Sequence, residues 1–271
     1  MRALGLLLCL LAAASPLRAQ ETREAPTEVD VELFIAVDVS RSMEPFELEI
    51  QRRGYAEALT SDAVLSAVAN GLLGRIAITY VEWAGADSQS VVVPWTLLRS
   101  RQDAERVAGR IGARFAPSMR RTSISAVLLS AARSIEANDF AGMRRVIDVS
   151  GDGPNNMGPP IEAARDEVLA AGIVINGIPL MTRDEFSTRW SIDDLDLYYR
   201  DCVIGGAGAF VMPVTDWQAF SDTVRRKLVL EIAGLAPPAR VIRAQAEEPE
   251  PYNCLVGEEL WDSNRYIYRE P

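Results

Sequence analysis

"VDVELFIAVDVSRSM", residues 29–43, is the stretch whose reading decides the fold. From Leu33 to Val37 it is apolar without a break, and valine and isoleucine recur through it. Such a run reads as a strand buried on both faces, the pattern of a parallel sheet covered by helices. It stops at Asp38, and Ser40 and Ser42 follow at steps of two. A turn leading into a helix cap uses these residue types. So does a cation held by oxygen, because alternation at i, i+2 and i+4 lets one loop offer three side chains to the same side.

Outward from this stretch, strands and helices alternate. A helix is expected from Glu44 to about Leu59, with Pro45 in its first turn, and a second in "SDAVLSAVANGL". "GRIAITYVEWAG" reads as a strand, and "QSVVVPWTLL" as an antiparallel partner reached through the short turn "GADS". Pro94 confines that partner to a sheet edge. "SRQDAERVAGRIGARF" is helical, and so is "RRTSISAVLLSAARSIEAN", where Ile124, Val127, Leu128, Ala131 and Ile135 share one face. "RRVIDVSGDG", "IVINGIPL" and "AFVMPV" are strands. The helices "PIEAARDEVLAAG", a short one in "DDLDLYYRDCVIGG" and "DWQAFSDTVRRKLVLEIAG" complete the pattern. The fold class expected is α/β: a doubly wound, mostly parallel sheet with one antiparallel edge strand and helices on both faces.

The ends of the chain read differently. Residues 1–19 have a charged start, an apolar stretch from Ala3 to Ala14 and a small residue, Ala19, before a polar switch. That is the layout of a cleaved signal peptide, so a periplasmic or secreted protein is expected. Cys9 follows Leu8 rather than a small residue, which argues against a lipid anchor. No other stretch is long and apolar enough for a membrane span. Residues 20–30 read as a flexible N-terminus, 31–234 as the domain, and 235–271 as a Pro-rich acidic linker and tail. In that tail Trp261, Tyr266 and Tyr268 are expected to pack on the domain.

Composition removes several kinds of chemistry. The 271-residue chain carries a net charge of −10, which leaves no basic footprint for nucleic acid. It has no histidine, so Ser-His and Cys-His nucleophile pairs and the commonest zinc ligand are absent. Any metal is then held mainly by oxygen, as Mg²⁺, Mn²⁺ and Ca²⁺ are. Lys227 is the only lysine. Beyond the signal peptide two cysteines remain, Cys202 and Cys254, and in an oxidising compartment one disulfide is the simple expectation.

In a doubly wound sheet, ligands sit beyond the carboxyl ends of the strands, where the winding reverses. Three loops at that end are polar together: Asp38 to Ser42, the helix start at Thr122, and Gly151-Asp152-Gly153. Two carboxylates brought close repel unless something positive lies between them, and a Mg²⁺-like ion meets that need. Taken singly, Thr122 also reads as a plain helix cap, with Ser123 or Ser125 as replacement ligands. Asp152 also reads as a turn residue between glycines. The stretch "GPNNMGPP" reads as a connecting loop, and Asp193, Asp194 and Asp196 as a solvated face whose spacing matches no EF-hand.

These residues carry a resemblance. The sequence resembles the von Willebrand factor type A fold over roughly Val31 to Gly234. The metal-ion-dependent adhesion site of that family reads D-x-S-x-S, then a threonine, then an aspartate. Asp38, Ser40 and Ser42 match the first element, Thr122 the second and Asp152 the third. Two positions depart from the pattern: Gly151 stands where the family often has Thr or Ser, and Arg41 where it often has Gly. The resemblance is nearest to exported bacterial proteins of unknown function with this fold. It implies a divalent cation, Mg²⁺ with Mn²⁺ or Ca²⁺ as alternatives, and an open position that takes a carboxylate from a partner protein. It implies adhesion or scaffolding rather than catalysis. A metal-assisted phosphatase-like hydrolase at the same cluster is the competing reading, and a metal-free small-molecule receptor a third.

Overall fold

A computed structural model of the chain describes residues 25–113, 119–182, 191–237 and 251–264. The signal-peptide reading of residues 1–19 and the packing expected of Tyr266 and Tyr268 lie outside these. Five strands form one sheet: β1 (Thr27–Asp38), β2 (Ile76–Trp83), β3 (Gln89–Leu98), β4 (Phe140–Gly151) and β5 (Val174–Pro179). Their order is β3-β2-β1-β4-β5. Every neighbouring pair is parallel except β2 with β3, which is antiparallel. This is the expected fold class, and Pro94 lies in the edge strand β3, beside a register shift in its pairing with β2.

The central strand is buried from Val29 to Asp38 because both of its faces are covered. Val31, Leu33, Ile35 and Val37 face one layer, made of α1 (Pro45–Thr60), α2 (Asp62–Ala69), α3 (Arg101–Gly112) and α7 (Phe220–Ala233). Phe34 and Ala36 face the other, made of α4 (Ile124–Ala137), α5 (Ile161–Ala170) and the short α6 (Leu195–Tyr198). Alternate residues of one strand thus feed two separate cores, as the two-residue period of a strand requires.

Three differences from the sequence reading have local causes. The first strand begins at Thr27, so residues 27–30 belong to the domain rather than to a flexible N-terminus; Thr27 and Val29 pair with Phe140 and Gly142. The fourth strand likewise starts earlier than its apolar run, because Phe140 to Arg145 have a partner in β1 before β5 begins. Residues 209–214, expected as a strand, form no ladder: they meet Gly177 of β5 at an isolated bridge from Val211 and Leu180 just past it at another from Val214, and the Phe210 amide donates to Asn176 Oδ1. Pro213 has no N–H to continue a ladder there.

Residues 251–264 of the tail are tied to the domain. Cys202 and Cys254 form a disulfide, and α8 (Val256–Asn264) follows it. Among the described residues no helix is long and apolar enough to cross a membrane.

Candidate metal site

The chain leaves β1 to one side through α1 and α2 into β2, and later returns on the other side as β4. The winding therefore reverses between β1 and β4, and Asp38 and Asp152 stand at the carboxyl ends of those two strands. This is the crevice in which open α/β sheets bind ligands.

The first loop is folded by its own side chains. Asp38 accepts a hydrogen bond from the Ser40 amide at 2.7 Å, an Asx-type turn that bends the chain off the strand. Buried Gln51 of α1 donates to the Asp38 carbonyl at 3.2 Å. The Ser40 and Ser42 hydroxyls lie 2.9 Å apart, and Ser42 donates to Asp152 Oδ1 at 2.9 Å. One hydrogen-bonded chain thus joins the first sequence element to the last. Arg41 is exposed.

The second loop is set by backbone bonds. The Ser123 amide donates to the Ala84 carbonyl at the end of β2, and the Thr122 amide to Asn156 Oδ1 at 3.0 Å. The Asn156 amide returns a bond to the Thr122 carbonyl. Thr122 is buried but, among the described residues, stands outside the hydrogen-bonded chain linking Asp38, Ser40, Ser42 and Asp152. The cap of α4 is Ser123, whose hydroxyl accepts from the Ala126 amide and donates to the Met157 carbonyl. Ser125 is spent on Asn155. The two replacement ligands are thereby committed elsewhere, and Thr122 is not the cap.

Asn155 and Asn156 are the residues that sequence reasoning missed, since "GPNNMGPP" reads there as a plain connection. Asn155 holds Ser125 through its carbonyl oxygen and Glu258 of the tail through its amide nitrogen. Gly257 packs against the Asn155 carbonyl so closely that a Cβ there would collide with it. Next to Thr122, Arg121 adopts φ 74°, uncommon for a residue with a side chain. Its guanidinium lies 3.2 Å from the centre of the Trp261 ring on α8.

Asp38 is 0 % exposed, and its Oδ2 has no hydrogen-bond partner among the described residues. No lysine or arginine among them pairs with it. Burial, and then the nearby Asp152, push its carboxyl well above the ordinary range. Burial and Asp152 disfavour the charged carboxylate relative to water; a cation beside it would favour that form. No three Asp, Glu, Cys or His side chains converge on one point among the described residues, so the donor set is two carboxylates and hydroxyls. That set fits a hard, oxygen-seeking divalent ion.

The family described as "Protein of unknown function (DUF1194)" matches residues 28–236, and the chain belongs to it. No curated protein sequence matches the chain. Among solved structures, proximal thread matrix protein 1 from the mussel byssus, with its MIDAS motif occupied by zinc, aligns at TM-score 0.52 and 14% identity. That alignment covers 77% of this chain and 49% of that one. The pilus adhesin SpaC from Lactobacillus rhamnosus GG aligns at TM-score 0.56 and 10% identity, over 78% of this chain and 32% of that one. A von Willebrand factor type A protein from Catenulispora acidiphila aligns at TM-score 0.48 and 17% identity, over 76% and 43%. The chain spans about half or less of the length of these structures. The likeness to the thread matrix protein and the pilus adhesin is one of fold, the mostly parallel α/β sheet with helices on both faces.

Proposed function

We propose that this member of the DUF1194 family is an exported, non-enzymatic binding module that holds one divalent cation at Asp38, Ser40, Ser42, Thr122 and Asp152. The observation that carries the reading is Asp38 Oδ2, buried and unpartnered, at the switch point beside a second carboxylate. The cation we assign is Mg²⁺, with Mn²⁺ and Ca²⁺ as close alternatives, because the donors are hard oxygens. When bound, the ion supplies a positive centre with a position open to an outside carboxylate.

The protein's own residues do the rest. The Asp38–Ser40 turn fixes the first loop, and Ser42 ties it to Asp152. Asn156 sets the Thr122 backbone. The partner is then a protein presenting an acidic side chain. Proteins similar to this chain in fold include a pilus adhesin and a thread matrix protein. A disulfide suits an exported protein.

The test uses immobilised protein lacking residues 1–19 and an array of peptides bearing Asp or Glu, beside their Asn and Gln counterparts. Acidic peptides are expected to be retained in Mg²⁺ and released by EDTA, and not retained by Asp38→Asn. Retention indifferent to EDTA would overturn the reading. So would Mg²⁺-dependent turnover of p-nitrophenyl phosphate, which supports the hydrolase instead.

A further inference from the structure

A second buried polar atom without a partner lies next to the site. The Tyr199 side chain is 0 % exposed, and its hydroxyl, like Asp38 Oδ2, has no hydrogen-bond partner among the described residues. Two strand glycines make room for it. A Cβ on Gly177 of β5 would lie 2.5 Å from Tyr199 Cδ1, so the ring packs this closely on the strand only because that side chain is missing. A Cβ on Gly151 of β4 would lie 2.9 Å from the Tyr199 hydroxyl and 2.9 Å from Asp38 Oδ2. Glycine inside a strand weakens it and marks a place where another group approaches closely. Here the same two glycines admit one aromatic ring and leave its hydroxyl and Asp38 Oδ2 around one small space.

The backbone that delivers the ring is itself unusual. Tyr199–Val203 is a π-helical turn, closed by the Ile204 amide bonding back to the Tyr199 carbonyl. Such turns occur mostly singly and often at functional sites. Cys202, in the same turn, is anchored to Cys254.

We propose that Tyr199 is a positioning residue of the candidate cation site: its hydroxyl serves Asp38 Oδ2 as donor across the space beside Gly151, directly or through one water. The inference rests on the functional reading above. Position 151, which in the resembling family often bears a hydroxyl, is bare here, and the hydroxyl arrives from the π-helical turn instead. A phenol stays protonated at neutral pH and is a donor there. A carboxylate oxygen that accepts a hydrogen bond on one lone pair still offers the other to a cation; such a bond orients the ligating group, and losing it typically weakens metal affinity roughly 10- to 100-fold.

The test has two arms. The first is Mg²⁺ titration calorimetry on demetallated parent, Tyr199→Phe, Gly151→Ala and Tyr80→Phe. Tyr80 is equally buried with a partnerless hydroxyl, and it points into the opposite core, so it controls for loss of a buried hydroxyl as such. Tyr199→Phe and Gly151→Ala are expected to weaken binding about tenfold or more. Tyr80→Phe is expected to match the parent within about twofold. Equal affinity in parent and Tyr199→Phe overturns the inference. The second arm is a crystal structure of the metal-free parent. Tyr199 Oη bonded to Asp38 Oδ2, or both bonded to one ordered water, supports it. A Tyr199 hydroxyl bonded elsewhere overturns it. If the parent takes up no cation, the binding-module reading fails by itself, and the crystal contact alone decides the role of Tyr199.

Discussion

Among the carboxylates buried in and against this sheet, two groups contrast in what lies beside them. In the interior, Asp148 of β4 and Glu231 of α7 both meet Lys227, which is 0 % exposed; the ammonium lies 2.6 Å from Asp148 and pairs directly with Glu231. Asn176 also donates to Glu231 at 2.8 Å. At the strand tips, Asp38 has Asp152 beside it and no basic side chain paired with it among the described residues. Burial raises Asp148, and Lys227 pulls it back; burial raises Asp38, and Asp152 raises it further. The chain thus carries its own cation where the charge is structural. At Asp38 no such cation comes from the described residues, and on the proposed reading an ion from solution takes that place.

The largest expected effect comes from breaking the internal group. Lys227→Met leaves two buried carboxylates without their cation and is expected to cost about 3–5 kcal/mol in urea unfolding at neutral pH. The loss shrinks at acidic pH, where Asp148 and Glu231 take up protons. A cost unchanged by pH would mean that Lys227 matters by packing alone.

Next is the disulfide, which closes a loop with a sequence separation of 52. In the chain-entropy view, Cys254→Ser is expected to cost up to about 4 kcal/mol, read from the same unfolding curves. An unaffected midpoint would show that the tail docks without its tether.

The pH dependence sharpens the contrast further. Asp38 is raised in the folded, metal-free chain, so that state binds its proton more tightly than the unfolded chain does. The stabilisation from this group is full below the ordinary carboxylate range and is lost as pH rises through the raised value. A cation replaces the proton, so metal affinity is expected to fall as pH falls, by up to about tenfold per pH unit below that value. Calorimetry in buffers of different ionisation heat measures the released proton. Affinity flat from neutral pH down to the ordinary carboxylate range would contradict the assignment of Asp38.

The smallest effect is at the tail. Trp261→Ala removes the ring under Arg121, beside Thr122, and is expected to cost about 0.5–1 kcal/mol. Thermal unfolding at matched ionic strength reads it.

The unequal legibility of these regions in the sequence has a physical basis. The strand from Val29, the alternation of strand and helix and the Pro94 edge follow from periodicity and from backbone rules that act locally. Asp38, Ser40 and Ser42 are legible because one loop carries all three, and the structure joins them to Asp152 as spacing and topology suggest. Lys227 stands out as the sole lysine, but its partners lie 79 positions back in Asp148 and one helical turn on in Glu231, and only the first of these distances depends on the fold. The roles of Asn155 and Asn156 depend on contacts with Thr122, Ser125 and the tail, which loop composition does not encode. Tyr199 reads as core, and it is core along its ring; only the placement of Gly151 and Gly177 on adjoining strands gives its hydroxyl a neighbour in Asp38.

The most direct test of the contrast is Mg²⁺ titration calorimetry on the demetallated chain without residues 1–19, beside Asp38→Asn. The account predicts one site in the parent and binding at least about 100-fold weaker in the variant. The variant is also expected to unfold no earlier than the metal-free parent, since it loses a buried carboxyl and no counter-charge. Equal affinity in the two proteins, or no binding by the parent, would contradict the claim that Asp38 awaits a cation from outside the chain.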